Sequence, residues 1–185
     1  MATQTLTRRQ SDASVTRPAP IEALAGGTPH TATILALDLG HRLGWALRSA
    51  DGIISGVAEF RQDRWQGGGI KFLRFRRWLT ELKADAGGLD TVLYEQVRNH
   101  AGVDASHAYG GWLAILAAWC EHHGIPYQGV PVGTIKRHIA GKGNADKRAV
   151  IDAVRRIGFA PADDNEADAL ALLHWATANR IGGVQ

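Results

Sequence analysis
The order of patterns along the chain predicts an α/β domain built on a mixed five-stranded sheet, three strands antiparallel and the rest parallel, flanked by helices. Three observations lead there. An apolar strand is followed at once by two more strand-like segments, so the chain opens as a meander. Helical and strand-like stretches then alternate, the pattern of parallel strands reached through helical crossovers. Two of the strands run straight into an acid, Asp38 and Glu95, so both acids leave the sheet at one edge if those strands lie side by side.

Residues 1 to about 31 carry Thr, Ser, Pro, Gly and scattered Arg without apolar periodicity. Such a segment buries too little surface to offset the entropy of ordering, and it reads as a disordered tail ahead of a domain over 32–181. Ile34-Leu35-Ala36-Leu37 is expected as a buried strand delivering Asp38 to its end, although an Asp in that position could equally open a hairpin turn. Segments 43–47 and 53–60 read as strands joined by the turn signal Asp51-Gly52. Gly67-Gly68-Gly69 breaks the chain, and Phe72, Phe75, Leu79 and Leu82 at three- and four-residue spacing predict a helix over 70–84. Lys71, Arg74 and Arg77 fall on another side of it, as a solvated face or a nucleic-acid contact.

A short β-rich strand is expected over 91–95, then a long helix over 103–123 capped by Gly124. The small and apolar positions of that helix suit a dimer interface or burial in one core. A strand over 126–130, a helical turn over 134–139 and a glycine-broken basic loop over 141–148 follow, then helices over 149–157 and 165–179. The last helix has an acidic start, with Asp163, Asp164, Glu166 and Asp168.

Composition sets outer bounds. The 185 residues are 45% apolar with six Trp, enough for one core. The single cysteine, Cys120, excludes a disulfide frame and a Cys-based zinc site and points to a reducing, cytoplasmic setting. No apolar run approaches the roughly 18 to 20 residues that span a bilayer, so no membrane is expected. A net charge of +3 is compatible with a polyanionic partner without establishing one. His122, His123, His138 and His174 lack zinc-like spacing with any Cys or His partner.

The acids carry the chemistry. Asp38 and Glu95 at one edge, joined by Asp168 if its helix packs there, would repel strongly unless a hard divalent cation neutralises them. Oxygen-only ligation favours Mg²⁺ or Mn²⁺ over zinc, and a pair of such ions suits in-line phosphodiester hydrolysis. The acids over 163–168 also have an ordinary explanation, as helix N-terminal residues favoured by the macrodipole.

Four segments then stand in order: Leu37-Asp38-Leu39-Gly40 with Gly44-Trp45-Ala46, Tyr94-Glu95-Gln96-Val97, Gly143-Asn144-Ala145-Asp146-Lys147-Arg148-Ala149-Val150, and Asp164-Asn165-Glu166-Ala167-Asp168-Ala169-Leu170-Ala171. Together they resemble the motifs of RuvC-type Holliday junction resolvases over about residues 33–180. The resemblance implies an RNase H-like fold, a homodimer of bacterial or phage origin, and Mg²⁺-dependent cutting of four-way DNA junctions, with two ions per site and Mn²⁺ able to substitute. It implies Asp38, Glu95 and Asp168 as the metal-binding catalytic carboxylates. Lys147 matches a family lysine near the DNA backbone, and Lys136 a second one. Further DNA contacts are expected from Lys71, Arg74, Arg98, Lys142 and Arg148. Where the family often places a fourth acid, three residues before the last, this chain has Asn165, with Asp164 one step earlier. Both share the helical face of Asp168, and either could complete the metal shell. After Glu95, where some members set an aromatic side chain against bases, stand Arg98 and His100.

Rival readings are another nuclease of the same fold acting on RNA or on branched replication intermediates, and a non-catalytic junction-binding protein. An actin-like sugar kinase or ATPase domain also begins with a strand and an Asp-x-Gly turn. This chain is too short for its usual two lobes and shows no second glycine-rich phosphate loop.

Overall fold
The computed structural model describes residues 31–97 and 102–182. Its first strand, β1 (Ile34–Asp38), lies at the centre of the sheet because Ile34, Leu35, Ala36 and Leu37 are all fully buried and need cover on both faces. Antiparallel β2 (Arg42–Ser49) flanks it on one side and continues into β3 (Gly52–Glu59) through a turn where Gly52 takes φ 124°, a conformation that side chains avoid. On the other side lie β4 (Thr91–Gln96) and then β5 (Tyr127–Pro131), both parallel to β1. The strand order is β3-β2-β1-β4-β5, the mixed sheet that the sequence predicts.

Period-two alternation divides β1 between two cores. Leu35 and Leu37 pack with Phe75 and Leu79 of α1 (Ile70–Asp85) and with Trp112 and Leu116 of α2 (Val103–His123). Ile34 and Ala36 pack with Ile135 of α3 (Val132–Ala140), Val150 and Val154 of α4 (Lys147–Arg156), and Leu170 and Leu173 of α5 (Asp164–Ala178). The apolar positions of α2 are used inside the chain, with Trp112, Leu116, Trp119 and Cys120 buried. Gly111 is small because a Cβ there would stand 2.6 Å from the Phe72 ring. Burial pushes the Cys120 thiol up to about 12, which leaves it an inert core residue.

Boundaries differ from the sequence expectation where capping decides them. The expected turn over 134–139 is a full helix, α3, entered from Pro131 and ended by Gly141 at φ 79°. The basic loop is shorter than expected, because Asp146 caps α4 by accepting the Ala149 N–H at 2.8 Å, which makes Lys147 and Arg148 helical. Asp163 caps α5 in the same way, accepting the Glu166 N–H at 3.0 Å, and β5 begins one residue later than expected. Among the described residues no helix is long and apolar enough to cross a membrane. Most of the expected tail, together with Arg98 and His100, lies outside the described residues.

Candidate active site
Strand pairing brings the two strand-end acids together. β1 and β4 run parallel with Leu37 opposite Tyr94, so Asp38 and Glu95 are the next pair at the same edge. Ala36 and Leu93, two residues before each acid, lie in the core beneath α5, so alternation turns Asp38 and Glu95 toward that helix too. α5 crosses this face with Asp168 in its second turn.

The three carboxyls share one field. Burial, then the charges of Asp168 and Asp164, push Asp38 up to about 7, while Lys147 pulls it down. Glu95, only 8% exposed, is pushed up to about 8 by burial and by Asp38 and Asp168, against Lys136. Asp168 rises to about 6, mainly through burial, with Lys136 and Lys147 opposing and Asp164 reinforcing. Lys136 and Lys147 offset only part of this charge, since all three acids still sit above their ordinary range, and their donor set is oxygen alone, which suits a hard divalent cation. Among the described residues no three His, Cys, Asp or Glu side chains already converge as a metal cage, so the fit rests on donor chemistry and the shared field.

Asp164 and Asn165, the two residues the sequence offers as a further ligand, are held differently. The Asp164 carboxylate accepts a hydrogen bond from the Lys147 ammonium, which holds it below the usual carboxylate range while burial opposes. Its charge still reaches Asp38 and Asp168. The Asn165 amide instead donates to Asp163 Oδ2 at 3.4 Å, and its backbone carbonyl faces Gly44.

The mounting of α5 on the sheet was the part of the site that sequence patterns missed. Glu166 reads in sequence as one of several acids favoured by the helix dipole, yet it is 8% exposed. Its Oε1 accepts the Ser55 hydroxyl at 2.6 Å and its Oε2 accepts the Ala162 N–H at 2.8 Å, which pins the start of α5 to β3. Arg42 joins the same edge, reaching Glu59 at 3.0 Å and Asp163 at 2.7 Å. Gly44, paired with Asp38 across the β1–β2 ladder, leaves room for the α5 backbone: a Cβ there would lie 1.9 Å from the Asn165 carbonyl oxygen. Its place in the quoted Gly44-Trp45-Ala46 segment was the available signal.

The expected DNA-contacting residues divide into groups. Lys136 and Lys147 flank the carboxylates, and Lys136 also donates to the Ala145 carbonyl at 3.0 Å, tying α3 to the turn before α4. Lys142 and Arg148 are exposed in and just after that turn. Lys71 and Arg74 are engaged within the chain. The Lys71 ammonium lies 5.0 Å from the Phe72 ring and 5.9 Å from the Trp112 ring, and Arg74 donates to the Arg61 carbonyl and to Gln66 Oε1. His138 of α3 and His174 of α5 meet at 2.9 Å.

A central strand ending in an acid, an antiparallel pair on one side and parallel strands on the other, with helices on both faces, define an RNase H-like fold. No family model and no curated protein matches the chain. Solved structures do, and they narrow the fold to that of RuvC. Thermus thermophilus RuvC in complex with Holliday junction substrate superposes with a TM-score of 0.68 at 21% identity, covering 84% of this chain and 99% of that one. A second Thermus thermophilus RuvC structure gives 0.65 at 21% identity, over 83% and 98%. The yeast mitochondrial Holliday junction resolvase Ydc2 gives 0.51 at 13% identity, over 77% and 76%. The likeness shows the fold; the chemistry has to come from the site.

Proposed function
We propose that the chain is a metal-dependent, structure-selective DNA endonuclease that cuts four-way junctions. The observation that carries this is the shared field of Asp38, Glu95 and Asp168 at one sheet edge, each raised by burial, Asp38 also by Asp168, and Glu95 also by Asp38 and Asp168. The likeness to RuvC bound to a junction supports the choice of substrate. Asp38, Glu95 and Asp168 would hold Mg²⁺ or Mn²⁺, with Asp164 the fourth ligand to propose, since it is an anionic carboxylate whose charge reaches Asp38 and Asp168. Two such ions supply activation of a water and stabilisation of the leaving oxygen.

The chain's own residues do the rest. Lys136 and Lys147 offset the carboxylate charge and stand where a phosphate diester would approach, with Lys142 and Arg148 extending the cationic track. The cap at Asp163 and the Glu166 pin hold Asp168 in place against the sheet. A homodimer would present two such sites to the two strands of a junction, and the single thiol suits a reducing cytoplasm. The test is a cleavage panel in Mg²⁺: four-way junction, flap, RNA–DNA hybrid and linear duplex. Preferential cutting of the junction is expected. Preference for the hybrid would move the chain to an RNA-directed nuclease, and binding without cutting any substrate would make it a junction-binding protein.

A further inference from the structure
The connection between β3 and α1 leaves the sheet at the edge that holds the acids, because Glu59 at the end of β3 pairs with Arg42 and Gly44 of the same β2 pairs with Asp38. β3 lies two strands from β1, about 10 Å at ordinary strand spacing. The connection is braced from within. The Gln62 amide donates to the Gln66 carbonyl at 2.7 Å, the Asp63 N–H to Gln66 Oε1 at 3.1 Å, and the Gln66 N–H to the Asp63 carbonyl at 3.0 Å. Arg74 of α1 donates to the same Gln66 Oε1 at 3.1 Å.

This frame holds Trp65 outward at 89% exposure, with the Arg64 guanidinium 5.4 Å from its ring centre. The other five Trp are buried or half-buried. A groove of about 360 Å³ lies where β2 begins and β3 passes into this connection, lined by His41, Arg42, Glu59, Phe60, Arg61 and Gln62. Residues 59–77 carry six Arg or Lys against two acids. An indole placed for a protein partner would sit in an apolar patch, whereas the chain around Trp65 supplies Gln62, Asp63, Arg64 and Gln66.

We propose that Trp65 is a stacking platform for an unpaired nucleobase on a DNA strand that runs from the carboxylates along this groove. The proposal rests on the nuclease reading above. Arg64 covers one side of the indole, and a base takes the other; flanking cations hold the backbone. Every base offers a π face, so the contact selects unstacked nucleotides at a branch point without reading their sequence. A continuous duplex keeps its bases stacked and gains nothing from it.

The experiment uses the full chain carrying Glu95→Gln to prevent cutting, alone and with Trp65→Ala or Trp65→Phe. Binding is measured for a four-way junction and for linear duplex, with 2-aminopurine placed beside the branch as a reporter of stacking. Because the ring is exposed, Trp65→Ala keeps the thermal midpoint. Junction affinity is expected to fall roughly tenfold or more, in line with loss of one base–aromatic stack. Duplex affinity should stay within about twofold, the 2-aminopurine signal should be lost, and Trp65→Phe should keep most of both. The salt dependence should not change, since no ion pair to phosphate is removed. Unchanged junction affinity and reporter signal in Trp65→Ala would overturn the proposal, as would equal losses on junction and duplex, or a change in self-association in place of DNA binding. If the Glu95→Gln parent shows no preference for the junction, the nuclease reading fails first and the stacking proposal falls with it.

Discussion
Replacing Gly44 with alanine tests how the fold builds the site. The added methyl would stand 1.9 Å from the Asn165 carbonyl oxygen, 2.3 Å from its carbon and 3.0 Å from the Glu166 nitrogen, about 1.5 Å short of the 3.4 Å at which ordinary contact begins. Neither side yields cheaply. β2 is held on both edges, by Asp38 opposite Gly44 and by Val57 on the other side, and the start of α5 is fixed by the Asp163 cap and the Ser55–Glu166 hydrogen bond. Overpacking of this kind costs about 1–3 kcal/mol, and a clash with backbone belongs at the upper end. At about 2–4 °C per kcal/mol for a chain of this size, the melting midpoint should fall by roughly 5–10 °C. α5 also carries Asp164 and Asp168, and a displacement near 1 Å at reacting groups costs on the order of 10²-fold in rate. Melting curves and junction cleavage in Mg²⁺ measure both, with Gly110→Ala as the control, since a Cβ there meets nothing within 4 Å. A Gly44→Ala protein with unchanged midpoint and full cleavage would refute the reasoning.

Other outcomes follow from the same contacts. The carboxyls of Asp38, Glu95 and Asp168 sit at about 7, 8 and 6, above the value near 4 of an unfolded chain, so the metal-free native state holds protons that the unfolded chain releases. Stability from these groups is therefore full below pH ~4 and is lost as pH rises toward 8. The midpoint of the metal-free wild type should fall relative to that of Glu95→Gln over this range, and added Mg²⁺ should raise it more at pH 8 than at pH 5; the opposite trend in thermal shift would contradict it. Glu166→Ala strips the Ser55 hydroxyl and the Ala162 N–H of their acceptor and should cost about 1–3 kcal/mol in denaturant unfolding, with Glu166→Gln milder. Lys147→Ala should weaken junction binding evenly across sequences and reduce the slope of log affinity against log salt by about 1, as read from titrations at several salt concentrations.

The sheet was legible because its determinants are local and periodic. The run Ile34 to Leu37 must be buried on both faces, and the acids Asp38 and Glu95 at the ends of β1 and β4 are placed by strand direction alone. Asp168 was legible only as a candidate, since its arrival depends on how α5 crosses the sheet. The parts that escaped depend on tertiary contact. Glu166 has the sequence appearance of a dipole-favoured surface acid, and only its encounter with Ser55 of β3 makes it a buried pin. Asp146 was hidden as a cap because glycine and lysine around it read as a loop. Lys71 and Arg74 share the spacing of a solvated stripe, but the aromatic rings beneath one and the β3–α1 connection beside the other draw both inward. Spacing leaves Asp164 and Asn165 both open as a fourth ligand, and the reach of the Asp164 charge to Asp38 and Asp168 is what supports proposing Asp164.

The central claim is that Asp38, placed beside Glu95 and beneath α5, is indispensable to metal-dependent cutting and dispensable for binding. The direct measurement compares wild type with Asp38→Asn on one synthetic four-way junction, scoring cleavage in Mg²⁺ and affinity in its absence. The account predicts metal-dependent cutting by the wild type, none by Asp38→Asn, and affinities that agree within a few-fold. Continued cutting by a folded Asp38→Asn protein, or cutting by the wild type with divalent ions chelated away, would contradict it.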